Sequence, residues 1–414
     1  MRNVNTVLPF PARGERRNFL EEELRKKARD WIEVMLQEEL ESALGIGRYE
    51  RGSDRKGYRN GSRERSFTTG LGFHKLNIPR GVYFEPGPEG KKEFNSQLIP
   101  RYAHRSDAVE ESLVKSYLCG TNTRKIRHAL SPLLEGAALS SSTVSRVVSR
   151  LSDDFEAWKR RDLSADDIAI IFFDGFMLKM RFGGKVESVP VLCAIGVRAD
   201  GSKVLLALDV RASESSGAWR AFAEDLAERG VKAPVLAVID GNKGLNDAVK
   251  SAWPRIDVQR CTKHKIENLY THAPKRHHKE VKADYDLIIH ADGLAKARKA
   301  WRLFERKWEK SCPAVVNSLR EGGDELLTFF TYPSSTWKSL RTTNCIERMN
   351  GEFRRRVKTQ GSFPDIESGL KLLYGLFASG LISMQRLHGW RDLPAAVAIK
   401  RMEKDLMKKV DKAA

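Results

Sequence analysis

Apolar and polar positions change period several times along the chain, and each change marks an element. From Phe19 to Gly45 apolar residues recur between charged ones at helical spacing, which predicts one long amphipathic helix. Residues 48–68 lose that period and read as an extended Gly- and Arg-rich segment. Residues 71–84 alternate again and predict a short strand pair, closed by a Pro/Gly/Lys patch at 86–92. Three helices are predicted over 105–120, 121–136 and 140–161. The last starts at Ser140–Ser142, whose hydroxyls suit an N-cap. Val144, Val147, Val148 and Leu151 share one face of it, leaving Thr143, Arg146 and Arg150 on or near the other. Two short helices before such a helix make a helix-turn-helix candidate for DNA reading, with a plain packed bundle as the alternative.

Residues 167–262 switch to short apolar runs separated by helical patterns. The predicted order is β-β-β-α-β-α-β. The first run ends at Asp174, the turn at 199–202 favours a hairpin, and Gly230 closes the first helix. A hairpin start followed by alternating elements predicts an α/β mixed sheet with helices on its faces. No Gly-x-Gly-x-x-Gly follows the first strand, so a dinucleotide fold is excluded. Residues 263–335 read as mostly helical and basic, like an insertion, and helices resume at 344–356 and 364–379. The basic tail from Arg401 is expected to fray.

Composition narrows the function. Of 414 residues, 73 are Lys or Arg and 54 Asp or Glu, a formal net charge of +19 spread along the chain. Such self-repulsion suits a polyanionic partner, nucleic acid first, although a basic surface also serves solubility. Between Arg48 and Arg65 seven cationic residues face three acids, with Arg59, Arg63 and Arg65 as candidate phosphate contacts; the alternative is a solvated loop. Five widely spaced cysteines make no disulfide framework. With neither a signal-peptide core nor a long apolar run, a cytoplasmic protein with no membrane partner is expected.

Two aspartates, Asp174 and Asp240, end apolar strands and are each followed by glycine. If the strands are neighbours, the carboxylates converge and need a shared proton or a cation. Mg²⁺ or Mn²⁺ suits such hard oxygen donors. The best third acid is Glu347, on a helix that Thr342, Thr343 or Asn344 would cap. Asn350 and Arg354 share its face, and Arg355 and Arg356 flank it. The alternative is an ordinary surface helix with ion pairs. Cys261 and His264 form a Cys-x-x-His at the last strand, read either as a packing pair or as a site where His264 touches a scissile phosphate or orients a water. Nothing nearby completes a four-ligand zinc site. Two ions about 3.5–4 Å apart would suit hydrolysis and transfer of a DNA strand without a covalent protein intermediate. Neither a G-x-S-x-G elbow nor a Walker loop is present, so no nucleotide cofactor is implied.

Several stretches together resemble the Mutator-like family of bacterial insertion-sequence transposases. They are GYRNGSRER (57–65), LSSSTVSRVVSRLSDDFEAW (139–158), FFDGFMLKMR (172–181), SESSGAWRAFAEDLAERG (213–230), VIDGNKGL (238–245), QRCTKHKIENL (259–269) and the long TTNCIERMNGEFRRRVKTQGSFPDIES (342–368). The resemblance implies a ribonuclease-H-like catalytic domain over 163–274 and 336–390, interrupted by a helical insertion at 275–335. DNA-end binding would fall to 1–104 and the helix-turn-helix to 105–162, with a basic tail at 391–414. It carries an Asp-Asp-Glu triad over to Asp174, Asp240 and Glu347, and the family's Cys-x-x-His to Cys261 and His264. Glu267 departs from the family, which often has a positive residue there. Double-stranded DNA, as terminal inverted repeats and target, is the implied partner. A homodimer or higher multimer is expected, nucleoid-associated when bound to DNA. Competing expectations are a transposase-derived regulator that binds without chemistry, and a stand-alone nuclease of the same fold.

Overall fold

A computed structural model of the chain describes residues 16–50, 55–84, 90–118, 151–182, 185–211, 215–357 and 366–413. The chain forms two compact units, Met1–Arg150 and Leu151–Ala414. Most of the helix-turn-helix candidate, with Thr143, Arg146 and Arg150, lies outside the described residues. No described helix is long and apolar enough to cross a membrane.

In the first unit the long helix forms as predicted, α1 (Arg16–Leu44). Leu36, Leu40 and Leu44 recur at four-residue spacing and are buried along one stripe. Strands β1 (Gly57–Thr69) and β2 (Gly72–Tyr83) pair as an antiparallel hairpin, with short β3 (Lys92–Glu93) on the far side of β2. The expected strand pair at 71–84 is therefore one strand, and the basic segment before it supplies its partner. An edge strand whose side chains mostly face water shows no apolar alternation, so its strand character was hidden. Gly61, at φ +72°, supplies the left-handed residue where the register shifts between Arg59 and Ser62. Phe67, Leu76 and Ile99 close a small core on Leu36. Arg59 donates to Gln37 (2.7 Å) and Glu41 (2.8 Å) on α1. Arg65 donates to the Pro100 (2.8 Å) and Ala103 carbonyls. Both guanidiniums thus tie β1 to its own unit, whereas Arg63 is exposed. Helix α2 (Asp107–Leu118) follows.

The second unit opens with helix α3 (151–159). Its sheet contains β4 (Ile168–Phe182), β5 (Lys185–Arg198), β6 (Lys203–Val210), β7 (Leu236–Ile239) and β8 (Asp257–Arg260). The order is β6-β5-β4-β7-β8. β4, β5 and β6 pair antiparallel, while β7 and β8 join parallel to β4. This mixed sheet flanked by helices is the predicted β-β-β-α-β-α-β order and is consistent with a ribonuclease-H-like core. Helices α4 (Ser216–Glu228) and α5 (Lys243–Ala252) bridge the parallel strands. Each is capped by a side chain one residue ahead: Ser215 accepts from Ala218 N and Asn242 from Leu245 N. They cover one sheet face, where Ile171, Phe173, Trp219, Phe222, Ala237, Ile239 and Trp253 make the main core.

After α6 (Thr262–Thr271) comes the insertion, helical as expected: α7 (His278–Ile289), α8 (Leu294–Trp308) and α9 (Pro313–Gly322). Buried polar groups pin it to the sheet. Arg260 donates to the Glu321 carboxylate (2.8 Å) and carbonyl (2.9 Å), Lys265 to Glu321 (2.8 Å) and Ser318 O (2.7 Å), and Gln259 to Leu326 O (3.1 Å). Helices α10 (Asn344–Val357) and α11 (Ile366–Ala378) then lie on the other sheet face, where Phe176 of β4 packs on Phe353 and Phe353 on Phe377. The basic tail continues helix α12 (Leu393–Ala413), and its first turns are held to the sheet. Arg401 pairs with Asp167, and Lys404 donates to Val235 O (2.7 Å) and pairs with Asp257. Cations that read as a solvated tail in sequence are its anchors on the sheet.

Candidate active site

Register places the site. β4 and β7 pair in parallel at Phe172↔Val238, so two residues on, where β7 ends, Asp174 is level with Asp240. β7 and β8 pair at Ile239↔Arg260, so Asp240 is in turn level with Cys261, whose N–H donates to Ile239 O (2.7 Å). Neighbouring strands lie about 4.8 Å apart. Phe173 and Ile239 point into the main core, so alternation turns Asp174 and Asp240 to the opposite face. That is the face α10 covers, and α10 carries Glu347. The sequence ended the first strand at Asp174, but β4 runs on to Phe182 because residues 175–182 continue the hairpin with β5. Asp174 therefore sits within a strand, opposite Cys193, and is 6% exposed.

The acids sense one another. Burial, reinforced by the Asp240 and Glu347 charges, pushes the Asp174 carboxyl up to about 7, against the pull of His264 and the Gly175 N–H (2.9 Å). Asp240 is half-buried and accepts from Asn242 N (2.9 Å), which fixes one of its oxygens at the α5 entrance. Glu347 Oε2 meets the Lys263 ammonium, while Oε1 is buried without a hydrogen-bond partner, as is Asn350 Oδ1.

Cys261 is the N-cap residue of α6, which puts His264 in the first turn. Ligand atoms of Cys261, His264 and Glu347 all lie within 4.8 Å of one another, a cluster able to hold a metal ion. The sequence had grouped Glu347 with the two aspartates and treated the Cys-x-x-His separately; the structure brings all five residues to one region. Thr343, one of the three cap candidates, directly precedes α10, where its carbonyl accepts from Ile346 N (2.9 Å) and Glu347 N (3.2 Å), and it also donates its N–H (3.4 Å) and hydroxyl (3.5 Å) to Cys261 Sγ. Thr262 N donates to Arg341 O (2.9 Å), a second tie between the start of α6 and the approach to α10. The hydrogen bond to Cys261, then the Cys261, Asp174 and Asp240 charges, push His264 up to about 9 against its burial. Burial opposes a thiolate at Cys261, yet the hydrogen bond and charge of His264, with Thr343 donating as well, hold the thiol below its ordinary value.

Two contacts at the site are not legible in the sequence. Lys263, inside the Cys-x-x-His, was passed over, although a lysine in the first turn after a strand end is a visible cation at a site's mouth. Thr343 on Cys261 had no sequence signal. Along α10, Asn350 is buried beside Glu347, Arg354 and Arg355 are exposed, and Arg355 pairs with Glu352 (2.6 Å). The side chain of Arg356 lies outside the described residues.

The raised carboxyl makes stability pH-dependent in metal-free protein. Asp174 holds its proton more tightly folded than unfolded, so the folded state carries extra protons between the ordinary value of 3.8 and about 7. Its stabilising contribution is full below the unfolded value and is lost as pH rises through about 7, roughly 4 kcal/mol at the limit. Asp174→Asn removes that slope. In EDTA, denaturant unfolding should find the variant more stable than wild type by a few kcal/mol at pH 8, with the gap closing toward pH 4. A gap that stays constant with pH would refute the assignment.

Comparisons with known proteins point to one family. The family model described as "Transposase, Mutator family" aligns with residues 12–381. The chain is 31% identical to the transposase for insertion sequence element ISRM5 of Rhizobium meliloti (strain 1021), over 85% of this chain and 86% of that protein. It is 30% identical to the transposase for IS905 of Lactococcus lactis subsp. lactis (strain IL1403), over 86% and 88%. It is also 30% identical to the transposase for IS256 in transposon Tn4001 of Staphylococcus aureus, over 78% and 81%. With nearly the whole length aligned to one family model and to full-length relatives, the chain belongs to the Mutator family of transposases.

Proposed function

We propose that Asp174, Asp240 and Glu347 form the divalent-cation site of an active centre that cuts and joins DNA. The observation that carries it is the carboxyl of Asp174, buried on one sheet face where it feels both other acids. The residues fit a hard cation such as Mg²⁺ or Mn²⁺. All three offer oxygen, Glu347 Oε1 is buried and unpartnered, and the Lys263 ammonium already sits on Oε2 as a stand-in positive charge. Cys261 suits such an ion poorly, being buried with its sulfur occupied by Thr343. Bound there, the cations would polarise a phosphodiester oxygen and make water or a 3′ hydroxyl a better nucleophile.

The chain's own groups do the rest. Cys261 orients His264 and keeps it cationic, so its charge is available to a phosphate beside the acids. Asn350 presents its amide from the same helix, and Arg354 and Arg355 extend a positive rim for the DNA backbone. In the first unit, exposed Arg63 adds a phosphate contact, Arg59 and Arg65 shape the strand that carries it, and the unit engages the element's terminal inverted repeats. Holding two ends at once calls for a dimer or higher multimer. Incubating the protein with its element-end duplex, target DNA and Mg²⁺ or Mn²⁺ should yield joined products. Cut ends that never join would make it a nuclease, and bound but uncut DNA a regulator; either overturns the proposal.

Lys263 gives a separate handle. Its ammonium competes with a metal ion for Glu347, so Lys263→Met should tighten Mn²⁺ binding about fivefold, as judged from half-exposed ion-pair energies. The free-ion signal in electron paramagnetic resonance reads this directly. Unchanged or weaker binding would show that the lysine is no competitor.

A further inference from the structure

Beside the acids, on the same sheet face, lies a cavity of about 590 Å³. Its walls combine two chemistries. Phe172, Met349 and Ile382, buried side chains, form its apolar floor, and Lys203, Lys338 and Arg348 line it from β6, the segment before α10, and α10 itself. None of the three cations has an ion pair among the described residues. The carboxylate that lines the cavity, Glu352, is engaged by Arg355. Burial, helped by Arg348 and opposed by Cys345, holds the Lys203 ammonium below its ordinary value, and among the described residues no carboxylate pairs with these three cations. Such a cavity calls for an anion with a flat apolar part.

Its position narrows the ligand. Phe172 and Asp174 alternate onto the same face of β4, one two-residue repeat or about 7 Å apart. Arg348 follows Glu347 directly on α10. The volume suits a small-molecule-sized group and cannot admit a duplex. Cations for phosphate and apolar walls for a base are what single-stranded and unstacked nucleotides require. We propose that this cavity is a nucleotide subsite that takes one unpaired nucleotide of the DNA strand running past the scissile phosphate. Its phosphates lie on Lys203, Lys338 and Arg348, and its base lies against Phe172, Met349 and Ile382. The subsite rests on the assignment of Asp174, Asp240 and Glu347 as the active centre.

Fluorescence anisotropy with full-length protein tests it, comparing a blunt element-end duplex with the same duplex carrying a short single-stranded tail. Wild type should prefer the tailed duplex about tenfold, within the range for stacking one base. Lys203→Met combined with Arg348→Gln should erase that preference while blunt-duplex binding stays within about threefold, which also controls for folding. In wild type, 5-iodouracil in the tail should photocross-link to peptides spanning 344–352 or 381–387. Equal affinity for tailed and blunt duplex, or cross-links mapping elsewhere, would overturn the subsite. Thymidine monophosphate displacing the tail at equal concentration would make it a free-nucleotide site and overturn the strand assignment. An Asp174→Asn protein that still joins DNA but keeps the tail preference would sink the active centre and leave the cavity's ligand standing.

Discussion

Asparagine at position 174 will leave DNA binding intact and lower strand cleavage and joining by about a thousandfold or more. The change is nearly isosteric: it keeps an oxygen for the Gly175 N–H and removes one negative charge from the sheet face shared with Asp240 and Glu347. Two carboxylates and a cationic His264 then remain, too little charge to hold divalent cations against water. Asp240→Asn and Glu347→Gln should each do the same. Combining any two should add little, because residues acting as one unit are non-additive. Binding to the element-end duplex should stay near wild type in all three, since their carboxylates repel phosphate. Gel-resolved joining products, with metal titrated beside each variant, measure the effect. Activity within tenfold of wild type in Asp174→Asn would remove that residue from the chemistry.

The second large effect is on stability and arises one residue away. Phe173 is fully buried, and its ring lies 6.3–6.4 Å from those of Trp219, Phe222 and Trp253. These rings join β4 to both helices of the main core, so the site cannot close around a truncated side chain. Phe173→Ala should cost about 3–5 kcal/mol and lower the melting temperature by roughly 10 °C. Phe173→Leu should recover more than half of that. Denaturant unfolding followed by tryptophan fluorescence reports it, since Trp219 and Trp253 are both in the cluster. A loss under about 1 kcal/mol would mean that the core is not built around this ring. Neighbouring Phe172 faces the other way, toward the cavity, but is itself 1% exposed, so its truncation should cost stability as well as nucleotide binding.

Much of the second unit was legible because its signals are local. The apolar runs ending near Asp174 and Asp240, the caps at Ser215 and Asn242, and the turn at 199–202 each depend on residues a few places apart. At that turn Gly201 adopts φ +79°, and a Cβ there would meet Trp390 Cβ at 2.3 Å, so both conformation and packing demand glycine. Where local signal was weak, the expectations missed. β1 carries charge on both faces and so looked like a loop. The end of β4 was set too early because the pairing with β5, not the apolar run, decides where it stops. The tail from Arg401 looked solvated because its anchors, Asp167, Val235 and Asp257, belong to distant segments.

By itself the sequence determined the order of strands and helices in the second unit, the chain positions of the three acids and of the Cys-x-x-His, and the family. These follow from periodicity, capping and contiguous motifs. Only the tertiary structure decided that β4, β7 and β8 are adjacent and in a register that levels Asp174, Asp240 and Cys261. It also decided that α10 lies over that face, that Thr343 meets the Cys261 sulfur and Lys263 meets Glu347, and that three cations with no ion pair among the described residues share a cavity. The physical reason is that register and packing are set by hydrogen bonds and buried surface between segments far apart in the chain, which no window along the sequence contains.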